Sequence, residues 1–480
     1  MTTSVRTITA LVLVVLVQGH PLHAEATTAD MRESAVEALK KAATYYSEKV
    51  ATHGGYVYHY TLDLKVRWGE GAATVDQIWV QPPGTPTVGM AFLRAYEATH
   101  DRFFLDAAQK AAEALVYGQL RSGGWTNCVD FDPRGRRTAA YRNGKGRGKN
   151  NSSLDDGQTQ SALRLLVQVD AALDFKHKAI HESAYVGLNA LLQAQFPNGG
   201  FPQVWTGPVS RRSVKQAGYP DHDWRTQGRI KEYWNEYTLN DNVCGYVAKT
   251  LLDAHKAYKD EKYKRALTRL GDFLILAQMP DPQPAWAQQY NEDMQPIWAR
   301  KFEPAAIAGD ESQETLETLL MIYRATGDTK YLKPIPRAMS YLKRSLLSDG
   351  RLARYYELKS NKPLYMQRRD KKYSLTYDDS NLPKHYGWKI VSRLEQIEES
   401  YIDLKRNGSR EPAKPSITAL EKHARRIVKE LNDQGRWVST FRGERLVGQP
   451  KFHVGDRYLS SAVFSRNVES LSAYLAATRE

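Results

Sequence analysis

Two short acidic runs stand just ahead of apolar-periodic stretches: Leu154-Asp155-Asp156-Gly157-Gln-Thr159 and Tyr237-Thr-Leu-Asn240-Asp241-Asn242. Asp and Asn in such places commonly accept hydrogen bonds from the first-turn amides of a helix. That accounts for one residue in each run but not for a cluster in both. Oxygen ligands from two neighbouring loops can instead hold a hard cation such as Ca2+, which takes carboxylate and amide oxygens at about 2.3–2.6 Å. A third group, Trp286-Ala-Gln-Gln-Tyr290 running on to Trp298-Ala-Arg300-Lys-Phe-Glu303-Pro304, is bounded by Pro280 and Pro282 on one side and Pro304 on the other. Prolines so placed predict an irregular loop. Aromatic faces pack on pyranose rings, and Arg pairs with carboxylate through two parallel hydrogen bonds, so such a loop suits an acidic sugar. The competing reading is a long connection with core tryptophans and a solvated arginine. Arg351, Arg354, Arg368 and Arg369 gather in a further loop, as carboxylate clamps or as partners of Asp370, Asp378 and Asp379.

The elements that must position these residues repeat along the chain. Val88–Tyr96 and Ala107–Leu120 lead to Gly123-Gly-Trp125; Thr159–Leu173 and Ala179–Gln195 lead to Gly199-Gly-Phe201. Val243–Tyr258 and Tyr263–Gln278 lead to the Trp286 loop, and Glu314–Thr326 and Tyr331–Leu347 lead to Asp349-Gly350-Arg351. Copies arrive roughly every 70–85 residues. Leu163, Leu166, Val167, Val169 and Leu173 recur at the spacing of one buried helical stripe. Neither helix of a pair can bury its stripe alone, so the pairs must stack. The expectation is all-α: an α/α toroid, open or closed, with the Gly-rich loops gathered at one end. Arg134 to Lys149, basic and Gly-rich, reads as a mobile insertion or a flap over a substrate.

Residues 1–24 read as a secretory signal, with Arg6 before an apolar run from Ile8 to Val17. That run is too short for a membrane span, which needs roughly 20 residues. The expectation is a secreted or periplasmic protein with no transmembrane segment. Residues 25–400 form the toroid, 401–416 a linker, and 417–480 a C-terminal helical segment completing or flanking the ring. The net charge is +14, which suits a polyanionic partner. Cys128 and Cys244 are the only cysteines, enough for one disulfide and no framework.

In order along the chain, Gly54-Gly-Tyr-Val57, Val80-Gln-Pro-Pro-Gly-Thr-Pro86, Gly123-Gly-Trp125, Asp155-Asp-Gly-Gln-Thr159, Gly200-Phe-Pro-Gln203, Asn240-Asp-Asn242, Trp286 to Pro304 and Arg354 to Arg368 resemble the pectic acid lyases, the toroidal pectate lyases of polysaccharide lyase family ten. The resemblance spans roughly residues 35–390. It implies Ca2+-assisted β-elimination of polygalacturonate by a monomer that acts on an acidic polysaccharide and not on nucleic acid. Arg300 matches the arginine that abstracts the C5 proton, and Asp155 and Asp241 match the Ca2+ site. Asp156, Thr159, Asn240, Trp286, Arg354 and Arg368 are implied to bind substrate. Asp156 stands where the family usually has Asn, and Phe201 where Trp is common, which touches affinity more than reaction type. Arg normally stays protonated, with a pKa above about 12, so Arg300 must be desolvated and crowded by cations to act as base; Lys301 and Tyr290 are the other candidates. Two rival functions remain open: a glycosidase using Asp155 and Asp241, with Glu303 or Asp310 as further carboxylates, and a polyuronide-binding protein without catalysis.

Overall fold

A computed structural model describes residues 28–409 and 416–479; the signal-peptide expectation for residues 1–24 lies outside them. The helices are α1 (Thr28–Tyr45), α2 (Thr85–Thr99), α3 (Arg102–Gly118), α4 (Gln158–Ala172), α5 (Lys178–Gln193), α6 (Val243–Tyr258), α7 (Glu261–Leu276), α8 (Gly309–Thr326), α9 (Ile335–Arg344), α10 (Leu394–Asn407), α11 (Ile417–Glu430) and α12 (Ser461–Ala477). The eight helices α2 to α9 fall on the four helix pairs expected from the sequence. On α7, Tyr263, Ala266, Leu267, Leu270, Phe273 and Leu274 are buried, and Asp260 caps the first turn by accepting from the Lys262 amide. Burying each such apolar side chain is worth about 1.5–3 kcal/mol, against roughly 0.2–0.5 kcal/mol for a surface pair on the same helix. The stripe therefore decides the packing.

An inner row runs α12, α2, α4, α6, α8 and α10, with α3, α5, α7, α9, α11 and α1 outside it. The helix α1 packs on α11 and α12, so the N-terminal helix serves as outer partner of the last inner helix. This is an α/α toroid. Between hairpins run short antiparallel strands, among them a sheet in which His59–Thr61 pairs with Arg457–Ser460 and with Arg67–Trp68. Among the described residues no helix is long and apolar enough to cross a membrane. Cys128 and Cys244 are both free and buried.

Two local expectations are corrected. Residues 401–407 continue α10, so the connection begins at Gly408. The segment from Arg134 to Lys149, expected as a mobile insertion or a flap, is largely exposed but tied down: Ala139 and Tyr141 are buried, the Tyr141 hydroxyl accepts from the Asp130 amide, and Thr138 donates to the Arg147 carbonyl. A single aromatic outweighs the basic composition there.

Candidate active site

One device is repeated at the mouth of the ring. The Trp125, Trp286 and Trp437 indoles donate to Leu115, Leu274 and Ile427, carbonyls in the last turns of α3, α7 and α11, at 2.8, 2.8 and 2.9 Å. A hydroxyl from the following inner helix then clamps the loop backbone: Thr159 binds both the amide and the carbonyl of Trp125, and Ser312 does the same for Trp286. Trp286 is 0% exposed and so is Thr159. Both are thereby corrected from substrate contacts to parts of the fold, since neither presents a surface to a sugar. Tyr290 is likewise fully buried and donates to the Ala277 carbonyl, which removes it as a candidate base.

The same repeat brings the acidic runs together. The Leu154, Leu239 and Gly309 amides donate to the Gln203, Gln288 and Arg354 carbonyls at 2.8, 2.9 and 2.8 Å. The side chains follow suit: Gln203 donates to Asp155 at 2.5 Å, Gln288 to Asn240, and Arg354 to Glu311 at 3.1 Å. Asp155–Gly157 and Asn240–Asn242 form matching single turns that pack on one another. Asp156 has φ 46° and Asp241 φ 52°, each followed by another left-handed residue, Gly157 and Asn242. Asp, Asn and Gly tolerate that region best. No side chain in either turn caps its helix, so the helix-cap reading of both runs fails and their carboxylates are free to face outward.

Asp156 and Asp241 face a cleft of about 420 Å³ that Glu70, Gln81, Tyr246 and Glu314 also line, with Arg445 to Gln449 along one wall. Asp156 remains open to solvent there and accepts from Gln81 at 2.9 Å. Burial of its carboxylate, then the negative fields of Asp155 and Glu70, push it up to about 6, while Arg300 opposes this. Burial and the charges of Asp156 and Asp155 push Asp241 well above the carboxylate range, against Arg300 and Arg354. Glu314 is raised to about 9 by burial and then by Glu311 and Asp310. Carboxylates whose pKa is raised by burial and by one another's charge are oxygen donors whose strain a divalent cation would relieve. Asp156 and Asp241 present carboxylate oxygens of that kind to the cleft, with the charge of Asp155 beside them. Among the described residues no three acidic, His or Cys side chains close into a ready-made cage.

The arginines fall into two kinds. Arg300, half-buried, donates to Glu303 at 2.5 Å, and its guanidinium lies 5.2 Å from the Phe302 ring. Burial pulls its pKa down, but the hydrogen bond and charge of Glu303 outweigh this and hold it above the ordinary value. Its strongest partner is an acid rather than another cation. Arg354, 8% exposed, pairs with Glu311 and stacks on Tyr386 at 4.4 Å. Asn240 is buried and donates to Asp241 at 2.5 Å, so it positions that carboxylate rather than meeting a substrate. Arg368 is exposed and lines a neighbouring cleft with Lys384 and His385. Lys301 is exposed in another cleft beside Trp298, Arg229 and Lys372.

The sequence reading assigned no role to Glu70, Gln81, Tyr246, Glu314 or Arg445. Gln81 and Gln203 do lie in the Val80–Pro86 and Gly200–Gln203 motifs, whereas nothing in the chain marks Arg445.

No curated protein matches the chain in sequence. Among solved structures, a family 10 polysaccharide lyase from Cellvibrio cellulosa is 19% identical, covering 62% of this chain and 92% of that one, with a TM-score of 0.46. A cellobiose 2-epimerase from Bacillus thermoamylovorans is 13% identical over 94% and 99% (TM-score 0.46). A family 76 mannosidase from Bacteroides thetaiotaomicron is 11% identical over 93% and 99% (TM-score 0.46). Residues 119–322, the segment that carries Asp155, Asp156, Asp241 and Arg300, match the pectic acid lyase family.

Proposed function

We propose that this protein is a secreted or periplasmic pectate lyase that cleaves polygalacturonate by Ca2+-assisted β-elimination. The observation that carries the reading is the meeting, in one electrostatic neighbourhood, of Asp155, Asp156 and Asp241 with Arg300, within the segment that matches the family. C5 of a galacturonate is α to a carboxylate, and its proton becomes acidic once that carboxylate's charge is neutralised. A bound Ca2+ held by Asp155, Asp156 and Asp241 would supply that neutralisation. Arg354 is held by Glu311 and Tyr386 within reach of the Asp241 charge, and Arg368 is exposed in the adjoining cleft.

Arg300 is the proposed base. Its burial favours the neutral form, while Glu303 opposes it. Arg300 acts as base once released from Glu303, whose Oε1 also accepts from Gln288 and Tyr386 at 3.0 Å each. Incubation with polygalacturonate should produce the ultraviolet band of the unsaturated product and lose it on chelation. A hydrolase is the second reading, favoured by the raised carboxyls of Asp241 and Glu314, either of which suits a general acid. New reducing ends without the ultraviolet band would select it.

A further inference from the structure

The cleft is walled on one side by residues that lie outside the family match. Arg445 to Gln449 belong to the loop joining the strands Val438–Thr440 and Arg457–Ser460. Its place over the cleft is fixed by the N-terminal sheet. The Trp68 indole donates to the Gly448 carbonyl at 2.7 Å, and His59 Nε2 meets the Val447 carbonyl at 3.1 Å. Gly448 has φ +71°, and a Cβ there would lie 2.0 Å from the Gly69 carbonyl oxygen. Only glycine permits so close a backbone crossing.

The loop carries Arg445, which donates one guanidinium hydrogen bond to the His385 carbonyl at 2.8 Å. Among the described residues Arg445 makes no ion pair with an acid, unlike Arg300 with Glu303 and Arg354 with Glu311. Gln449 lines both the acidic cleft and the adjoining cleft of about 490 Å³ that holds Arg368, Lys384 and His385. Arg445 lines the acidic cleft and reaches the His385 backbone, while Arg368 lines the adjoining cleft with His385, so the two arginines stand on either side of the junction. An exposed arginine anchored by one nitrogen, with no acid of its own, is prepared to take a carboxylate through the others.

We propose that Arg445 anchors a uronate carboxylate of the substrate, and that the Arg445–Gln449 wall adds a binding subsite where the two clefts join. This rests on the polyuronide reading above, which the test separates from it. Arg445→Gln keeps a donor for the His385 carbonyl and removes the charge; Arg445→Lys restores charge without the fork. KM for polygalacturonate should rise about tenfold in the Gln variant and less in the Lys variant, with the loss of kcat/KM carried by KM. Calorimetric titration with trigalacturonate should weaken about tenfold for Arg445→Gln. The difference should vanish with the fully methyl-esterified trisaccharide and shrink at about 0.5 M salt. Equal affinity of wild type and Arg445→Gln for the acid trisaccharide overturns the anchor, as does a lowered melting temperature with unchanged KM. Wild-type protein that binds the trisaccharide and loses affinity in the variant, yet forms no unsaturated product, upholds the anchor and sinks the lyase reading. Wild-type protein that does not bind the trisaccharide sinks both.

Discussion

Arg300 donates to Glu303 at 2.5 Å, and Glu303 is 2% exposed. A buried acid so paired keeps its arginine protonated, whereas a catalytic base must give up its proton. If Arg300 is the base, Glu303→Gln removes the interaction that raises its pKa and leaves the burial that lowers it. The alkaline rise of the kcat–pH profile should then begin at lower pH in the variant. Arg300→Lys keeps the charge but not the reach, and should lower kcat by a factor of about 10² or more with little change in KM. A Glu303→Gln profile superimposable on wild type, with normal turnover in Arg300→Lys, would leave Arg300 a clamp and turn attention to Lys301.

Much of this fold was legible because buried stripes and Gly-Gly-aromatic ends recur. The stripe Leu163, Leu166 and Val167 names an inner helix in any context. The meeting of the first and last helices was less so, since α12 packs on α1 and α2 across nearly the whole chain and no local pattern reports that. At the site, the two acidic runs were legible as a repeat, but the pair read from them was Asp155 with Asp241, whereas the positions that match in the backbone are Asp156 and Asp241. Trp286 and Thr159 misled because a motif records which residues recur and not whether they face the ligand or the core. Arg445 was invisible: a single charge on a loop gains its meaning only from the pinning by Trp68 and His59.

Chelation tests the metal. Ca2+ should raise the melting temperature, since a ligand at about 100 times its Kd adds about 2.7 kcal/mol. Asp241→Asn should abolish most of that gain together with activity. Thermal unfolding with and without chelator reads the first effect independently of turnover. Equal Ca2+-induced stabilisation in wild type and Asp241→Asn would remove Asp241 from the metal site.

Trp286 separates core from sugar platform. Trp286→Ala should cost about 3–5 kcal/mol in urea unfolding, the range for a large buried aromatic. KM of the remaining folded protein should stay near wild type. Raised KM with unchanged stability would return Trp286 to the substrate.

His59 gives the strand that joins the chain's two ends a pH dependence. It is buried, its Nδ1 has no partner among the described residues, and burial lowers its pKa from 6.5 to about 4, opposed by its contact with the Val447 carbonyl. Tyr58, Phe452 and Tyr458 surround the ring, and no carboxylate pairs with it among the described residues. The unfolded chain therefore binds this proton from about pH 6.5 downward while the folded protein refuses it until about pH 4. Stability should fall as pH drops through that window, by up to about 3 kcal/mol, and level off below it. Acidic groups elsewhere add slopes of their own, so the measurement is the difference between wild type and His59→Gln. Urea midpoints of the two proteins should converge as pH falls from 7 to 4, because the glutamine has no proton to gain. A constant gap across that range would show that His59 titrates alike in both states, and that the Val447 contact does not depend on a neutral ring.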